Sequence, residues 1–113
     1  MNCLFCRIIT GEIPSKTVYQ DQELVAIEDV NPAAPLHLLL IPRKHIVNTL
    51  DLLPEDDLLI GHLFRVASKL AKERGYDESG FRIVTNTNAD AGQSVLHIHF
   101  HLLAGRNMQW PPG

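Results

Sequence analysis

Three histidines, His97, His99 and His101, stand at alternate positions in the stretch Ser94-Val95-Leu96-His97-Ile98-His99-Phe100-His101-Leu102-Leu103. Strict alternation of polar and large apolar residues is the period of a β-strand. The spacing therefore predicts that the three imidazoles share one face, while Ile98, Phe100 and Leu102 turn into a core. Three imidazoles in an apolar strand are costly unless each finds a partner. A neutral imidazole offers one lone pair, which can ligate zinc. The same lone pair can act as a nucleophile and carry a covalent group, provided a hydrogen bond fixes the proton on the other nitrogen. A metal-binding triad, a catalytic cluster and a purely structural set all remain open on this pattern.

Other residues could serve the same chemistry. Gly92-Gln93-Ser94 leads directly into the histidines, with Asn86 a few residues earlier. Glycine lets a backbone come close to a phosphate, and Ser94 offers an N–H and a hydroxyl. Such loops are also ordinary turns. His37 opens an apolar run and Asp29 precedes a proline loop; alone, His37 can also be a satisfied edge histidine, and an Asp before a turn is usually turn chemistry. Cys3-x-x-Cys6 is a second candidate site. A closed zinc site needs four ligands, and His45 with one histidine of the triad, best His97, would complete it. A redox pair or two idle core thiols are the alternatives, the former disfavoured because the motif does not follow a strand. If His97 ligates a metal it cannot relay protons, and its role becomes fixing the strand that carries His99. His62 receives no function.

The positioning elements follow from pattern and punctuation. Asn2 can cap a short helix over Cys3–Thr10, stopped by Gly11. Strands are expected at Thr17–Tyr19 and Leu24–Glu28, then a loop from Asp29 to Pro35. His37–Ile41 is nearly all apolar, so it should be central and buried, with Pro42 ending it. Pro54-Glu55-Asp56-Asp57 places acids in the first turn of a long helix. Leu58, Leu59, Leu63, Val66 and Leu70 give it an apolar face, and Gly75 closes it. A strand over Phe81–Asn86, a polar loop and the histidine strand complete the chain. Strands in hairpin order plus one long helix argue an α+β fold with an antiparallel sheet.

With 113 residues and 45% hydrophobic content, the chain suits a single domain, 1–113, with one modest core. A net charge of −3 offers no electrostatic handle for nucleic acid or an anionic membrane. The N-terminus shows no secretory signal, and the longest apolar run is too short to span a bilayer. A cytoplasmic location is expected, with the cysteines reduced or metal-bound.

His97-Ile98-His99-Phe100-His101-Leu102-Leu103 resembles the signature of the histidine-triad (HIT) nucleotide hydrolases and transferases. Gly92-Gln93-Ser94-Val95 and the terminal Trp110-Pro111-Pro112-Gly113 resemble the Hint branch, the histidine-triad nucleotide-binding proteins, which act as purine nucleoside phosphoramidases. Ala91 stands where many Hint sequences have glycine, and Leu96 where an aromatic is common. His101 stands where the transferase branch has glutamine, which favours hydrolysis.

The resemblance implies a five-stranded antiparallel sheet with one long and one short helix, paired into a homodimer. It implies that His99 is the nucleophile, that His101 donates to the phosphate, that His37 faces and supports the triad, and that Ser94 holds or protonates the leaving amine. It implies that Asp29 accepts the ribose hydroxyls, that Asn86, Gly92 and Gln93 contact the phosphate or leaving group, and that Leu4, Phe5, Ile8, Ile27 and Val30 form an apolar base pocket. Members with this cysteine pair look like zinc proteins, with Cys3, Cys6, His45 and His97 as the ligands. No cofactor is then needed for catalysis. Trp110 would reach the partner subunit, unless it is merely a tail anchor. The expected activity is cleavage of the P–N bond of a purine nucleoside 5′-phosphoramidate. A dinucleoside polyphosphate hydrolase and a non-enzymatic nucleotide- or zinc-binding interaction protein are its rivals.

Overall fold

Apolar alternation and turn residues divide the chain into seven regular elements. They are α1 (Leu4–Ile9), β1 (Thr17–Gln20), β2 (Leu24–Glu28), β3 (Leu36–Pro42), α2 (Asp57–Glu73), β4 (Phe81–Val84) and β5 (Phe100–Ala104), in a computed structural model that describes residues 3–113. The strands form one five-stranded sheet in the order β1-β2-β3-β5-β4, every neighbouring pair antiparallel. This is the expected α+β sheet with one long and one short helix.

Strand β3 is buried along its whole length because both faces of the sheet are covered. Leu38 and Leu40 turn to one side, where they meet Leu24 and Ala26 of β2, Phe100 and Leu102 of β5, and the Leu63, Val66, Ala67 and Leu70 stripe of α2. Each large aliphatic side chain fully buried there contributes roughly 1.5–3 kcal/mol. Leu39 and Ile41 turn to the other side, with Val25, Ile27, Phe5 and Cys3. Pairing aligns Leu39 with His101 and His37 with Leu103. The period of two thus sends Phe100, Leu102 and Ala104 towards α2, and His101 towards α1.

Helix α2 starts and stops as its sequence demands. Its α-helical part begins at Asp57, after a 3-10 turn at Pro54–Asp56 in which the Asp56 carboxylate accepts the Leu53 N–H at 2.9 Å. Leu58 faces solvent rather than the core. At the far end Gly75 adopts φ +87°, its N–H donates to Lys72 O, and Tyr76 N–H donates to Ala71 O. This left-handed cap satisfies two carbonyls of the last turn.

A polar knot ties α2 to the β1–β2 turn. The Asp21 carboxylate accepts the Tyr19 hydroxyl at 2.7 Å, His62 Nε2–H at 2.7 Å, and the N–H groups of Glu23 and Leu24 at 2.8 and 2.9 Å. Burial favours the neutral acid, but these four donors outweigh it and hold the carboxyl well below its ordinary range. His62, without a role in the sequence, is thus a fastener of the helix.

Several boundaries differ from expectation. The helix cap expected at Asn2 lies outside the described residues. Cys3 is the N-cap of α1, its Sγ accepting the Cys6 N–H at 3.4 Å. Strand β4 stops at Val84, and the next residue, Thr85, donates its hydroxyl to His99 O at 2.9 Å. The histidine strand is the largest correction. Its ladder begins at Phe100, so of the three histidines only His101 lies in a regular strand. Continuing the register of Leu40 with Phe100 would set Ile98 opposite Pro42. Proline has no N–H to give, and Ile98 N–H instead donates to Ile46 O.

Candidate active site

The loop that enters β5 is braced by one amide. Gln93 Nε2 donates to Val47 O at 2.7 Å and Val95 O at 3.1 Å, while its Oε1 accepts Asn88 N–H at 2.9 Å. Gly92 sits at φ +81°, a left-handed conformation that side chains rarely adopt. The chain then passes Ser94 and delivers the three histidines into two separate environments.

His99 is buried, with Nδ1–H donating to the carbonyl of His97 at 2.8 Å. That carbonyl can only accept, so the proton sits on Nδ1 and the lone pair on Nε2. Phe5 of α1 stands edge-on to the ring at 4.9 Å between centroids.

His101 lies beside it, with ring centroids 5.1 Å apart. Its state is set by a chain of donors. Ala33 N–H donates to His37 Nδ1 at 2.9 Å, so the His37 proton is on Nε2. Nε2–H faces His101 Nδ1 at 2.8 Å, with an Asp29 carboxylate oxygen at 3.3 Å. His101 Nδ1 therefore accepts, and its Nε2 keeps a hydrogen. Burial first, then the neighbouring His99 and His37, push the His101 pKa down to about 4, so the ring is neutral at neutral pH. Burial also lowers His37, partly offset by Asp29.

Both rings open into a cavity of about 690 Å³. Its apolar wall contains Leu4, Phe5, Ile8 and Ile27, with Val30 on the rim at 90% exposure. Asp29 and Ser94 add polar groups to the lining. Asp29 is held by its own turn, Oδ1 accepting Asn31 N–H at 2.8 Å. An unprotonated nitrogen beside a neutral N–H donor, both facing one partly apolar cavity, is an arrangement able to attack a phosphorus and support its oxygens.

Three expected contacts are not brought to this cavity. Asn86, Gly92 and Gln93 are absent from its lining, and the Gln93 amide is spent on the loop. Sequence reasoning missed others. Leu39 lines the cavity because its register pairs it with His101, and Lys16 reaches it from the segment before β1. Thr85 was foreshadowed only by β-propensity, yet its hydroxyl steadies the His99 carbonyl.

His97 is fully buried and serves a different cluster. Nε2–H donates to Pro42 O at 2.8 Å, leaving the Nδ1 lone pair free. That nitrogen lies 3.4 Å from Cys3 Sγ, 3.6 Å from Cys6 Sγ and 3.1 Å from His45 Nδ1, and Cys6 Sγ lies 3.4 Å from His45 Nδ1. The four potential ligand atoms all lie within 4.8 Å of one another. A tetrahedral zinc with ordinary bond lengths would set N···N edges of about 3.4 Å and N···S edges of about 3.6 Å. The donor set and its spacing fit such an ion, and the Pro42 carbonyl fixes the tautomer that a ligand requires.

The HIT domain model matches residues 10–108. The chain is 46% identical over 110 residues to an uncharacterized HIT-like protein of Synechocystis, covering 97% of this chain and 96% of that one. Its fold superposes on a HIT family hydrolase from Legionella pneumophila with a TM-score of 0.97 at 49% identity, covering 99% of this chain and 100% of the other. A histidine triad protein from Clostridium difficile gives a TM-score of 0.92 at 43% identity, with 96% and 95% of the chains covered.

Proposed function

The chain belongs to the HIT domain family, and from that premise we propose that it is a hydrolase of purine nucleoside 5′-phosphoramidates. The observation that carries the reading is the pair of tautomers facing the cavity, a free lone pair on His99 Nε2 and a retained N–H on His101 Nε2. Supporting it, the structural relatives from Legionella pneumophila and Clostridium thermocellum are called HIT family hydrolases.

The base would lie against Leu4, Phe5, Ile8, Ile27 and Val30, a surface that stacks on a purine without separating adenine from guanine. Asp29 would accept the ribose hydroxyls. His101 Nε2–H would donate to a non-bridging oxygen of the α-phosphate. His99 Nε2 forms a bond to phosphorus as the P–N bond breaks, and the amine leaves with a proton that solvent passes to it through the Ser94 hydroxyl. Water then attacks the adduct. A P–O bond forms, the bond to His99 breaks, the water gives up a proton to solvent, and the nucleoside monophosphate departs. No cofactor enters these steps.

Cys3, Cys6, His45 and His97 would hold a structural zinc, which supplies a rigid four-way cross-link. A homodimer is part of the same reading. Trp110 is 82% exposed and Phe81 lies on the edge strand β4, surfaces suited to a second copy of the chain. Among the described residues no helix is long and apolar enough to cross a membrane.

The test is hydrolysis of adenosine 5′-phosphoramidate by the purified protein, beside His99→Ala and a diadenosine polyphosphate. P–N cleavage that vanishes in the mutant and exceeds cleavage of the diadenosine substrate supports the proposal. Preferred cleavage of the diadenosine substrate, or binding without turnover of either, overturns it.

A further inference from the structure

Helix α1 has six residues, too few to persist alone in water. Two cysteines, its N-cap Cys3 and first-turn Cys6, point at groups far along the chain. Cys3 reaches His97, 94 positions away, and Cys6 reaches His45, 39 positions away. Between them sits Phe5, buried, edge-on to His97 at 6.0 Å and to His99 at 4.9 Å between centroids. Phe5 also lines the cavity with its neighbours Leu4 and Ile8.

Two short routes therefore join the Cys/His cluster to the cavity. One runs through α1 to the apolar wall. The other runs through His97 itself, whose ring belongs to the cluster and whose carbonyl holds the Nδ1–H of His99 at 2.8 Å. We propose that zinc at Cys3, Cys6, His45 and His97 and a purine nucleotide in the cavity bind with positive linkage, coupled through Phe5 and the His97 carbonyl. The inference rests on the reading of the cavity as a nucleotide site. A cross-link across the cluster orders α1 before the nucleotide arrives, so the nucleotide meets less of the ordering entropy. Reciprocity requires the nucleotide to tighten zinc by the same factor.

The experiment uses the full chain, with zinc and adenosine 5′-monophosphate as probes. The monophosphate is titrated calorimetrically into zinc-loaded and chelator-stripped protein, and zinc affinity is read by chelator competition with and without saturating monophosphate. The expected result is tightening of about tenfold in both directions. In Phe5→Leu, which keeps all four ligands, the factor should fall towards one. If the stripped chain does not fold, both arms include the folding equilibrium, and the comparison of wild type with Phe5→Leu decides, because a factor carried by folding alone stays undiminished in the variant.

Zinc affinity unmoved by the monophosphate overturns the proposal. So does an undiminished factor in Phe5→Leu, or zinc uptake that survives Cys3→Ala with Cys6→Ala. Linkage in a chain that cleaves no P–N bond would sink the hydrolase reading alone, and cleavage without linkage would sink only the coupling.

Discussion

His37 donates Nε2–H to Nδ1 of His101 across 2.8 Å, and the direction of that bond is set by the Ala33 N–H seated on His37 Nδ1. A backbone amide cannot reverse its role, so one peptide N–H dictates the tautomers of two imidazoles. What faces the cavity from His101 is consequently a donor.

Breaking this chain should affect turnover more than binding. In His37→Leu, His101 is free to present either nitrogen, and kcat for adenosine 5′-phosphoramidate should fall about 10- to 100-fold. Affinity for adenosine 5′-monophosphate should change by less than about threefold. His37→Gln, whose Nε2 amide can still donate to His101, should recover part of the rate. Equal losses in all three measurements would reduce His37 to a packing residue.

Removal of the nucleophile has a larger and simpler signature. His99→Ala should lower kcat by at least about 10³-fold, since no other free imidazole lone pair faces the cavity among the described residues. Loss of this buried ring also removes its packing on Phe5 and the donor to the His97 carbonyl, at a cost of about 1–3 kcal/mol, so circular dichroism accompanies the assay to show that the variant is folded. A mutant that keeps a tenth of the activity would point to a different nucleophile.

The depressed histidines make stability depend on acid. His101 is lowered from 6.5 to about 4, chiefly by burial and then by His99 and His37. Between those values the unfolded chain binds more protons than the folded one, so this contribution is full above about pH 6.5, declines as pH falls, and is exhausted below about pH 4. Burial shifts His37 in the same direction. The urea midpoint of the wild type should therefore drop between pH 7 and pH 5 by more than that of His101→Gln. Parallel curves would show that the buried ring does not carry the effect.

On helix α2, outside the lining of the cavity, His62→Ala should cost about 1 kcal/mol, the loss of one partly exposed charge-assisted bond to Asp21. Phosphoramidate turnover should be unchanged, because His62 contacts the β1–β2 turn and not the cavity. Chemical denaturation alongside a kinetic assay separates the two effects.

Much of this was legible in the residues. The apolar run of β3, the glycine cap at Gly75 and the convergence of His99 and His101 each follow from a local period or a local steric rule. The gathering of Cys3, Cys6, His45 and His97 was legible from ligand chemistry and resemblance together. What escaped depended on register and backbone supply. Pro42, by lacking an N–H, ends the ladder before it reaches His97, and alternation alone cannot register a missing donor on another strand. Gln93 resembles a phosphate ligand in sequence, but its amide is engaged by Val47, Asn48, Asn88 and Val95. Thr85 and Ala33 act through single hydrogen bonds that leave no pattern in the sequence.

Strand β5 follows every other strand in sequence yet takes an inner place, between β3 and β4. During synthesis a chain that has emerged only through β4 can form the β1-β2-β3 meander, but β3 still shows an open row of N–H and C=O groups. An uncovered, wholly apolar edge of this kind invites pairing with other chains. Phe100–Ala104 closes that edge and joins β4 to the sheet. A chain cut before His97 therefore lacks all three histidines and keeps β3 as an uncovered apolar edge, so the same short segment completes both the cavity and the protection of the sheet.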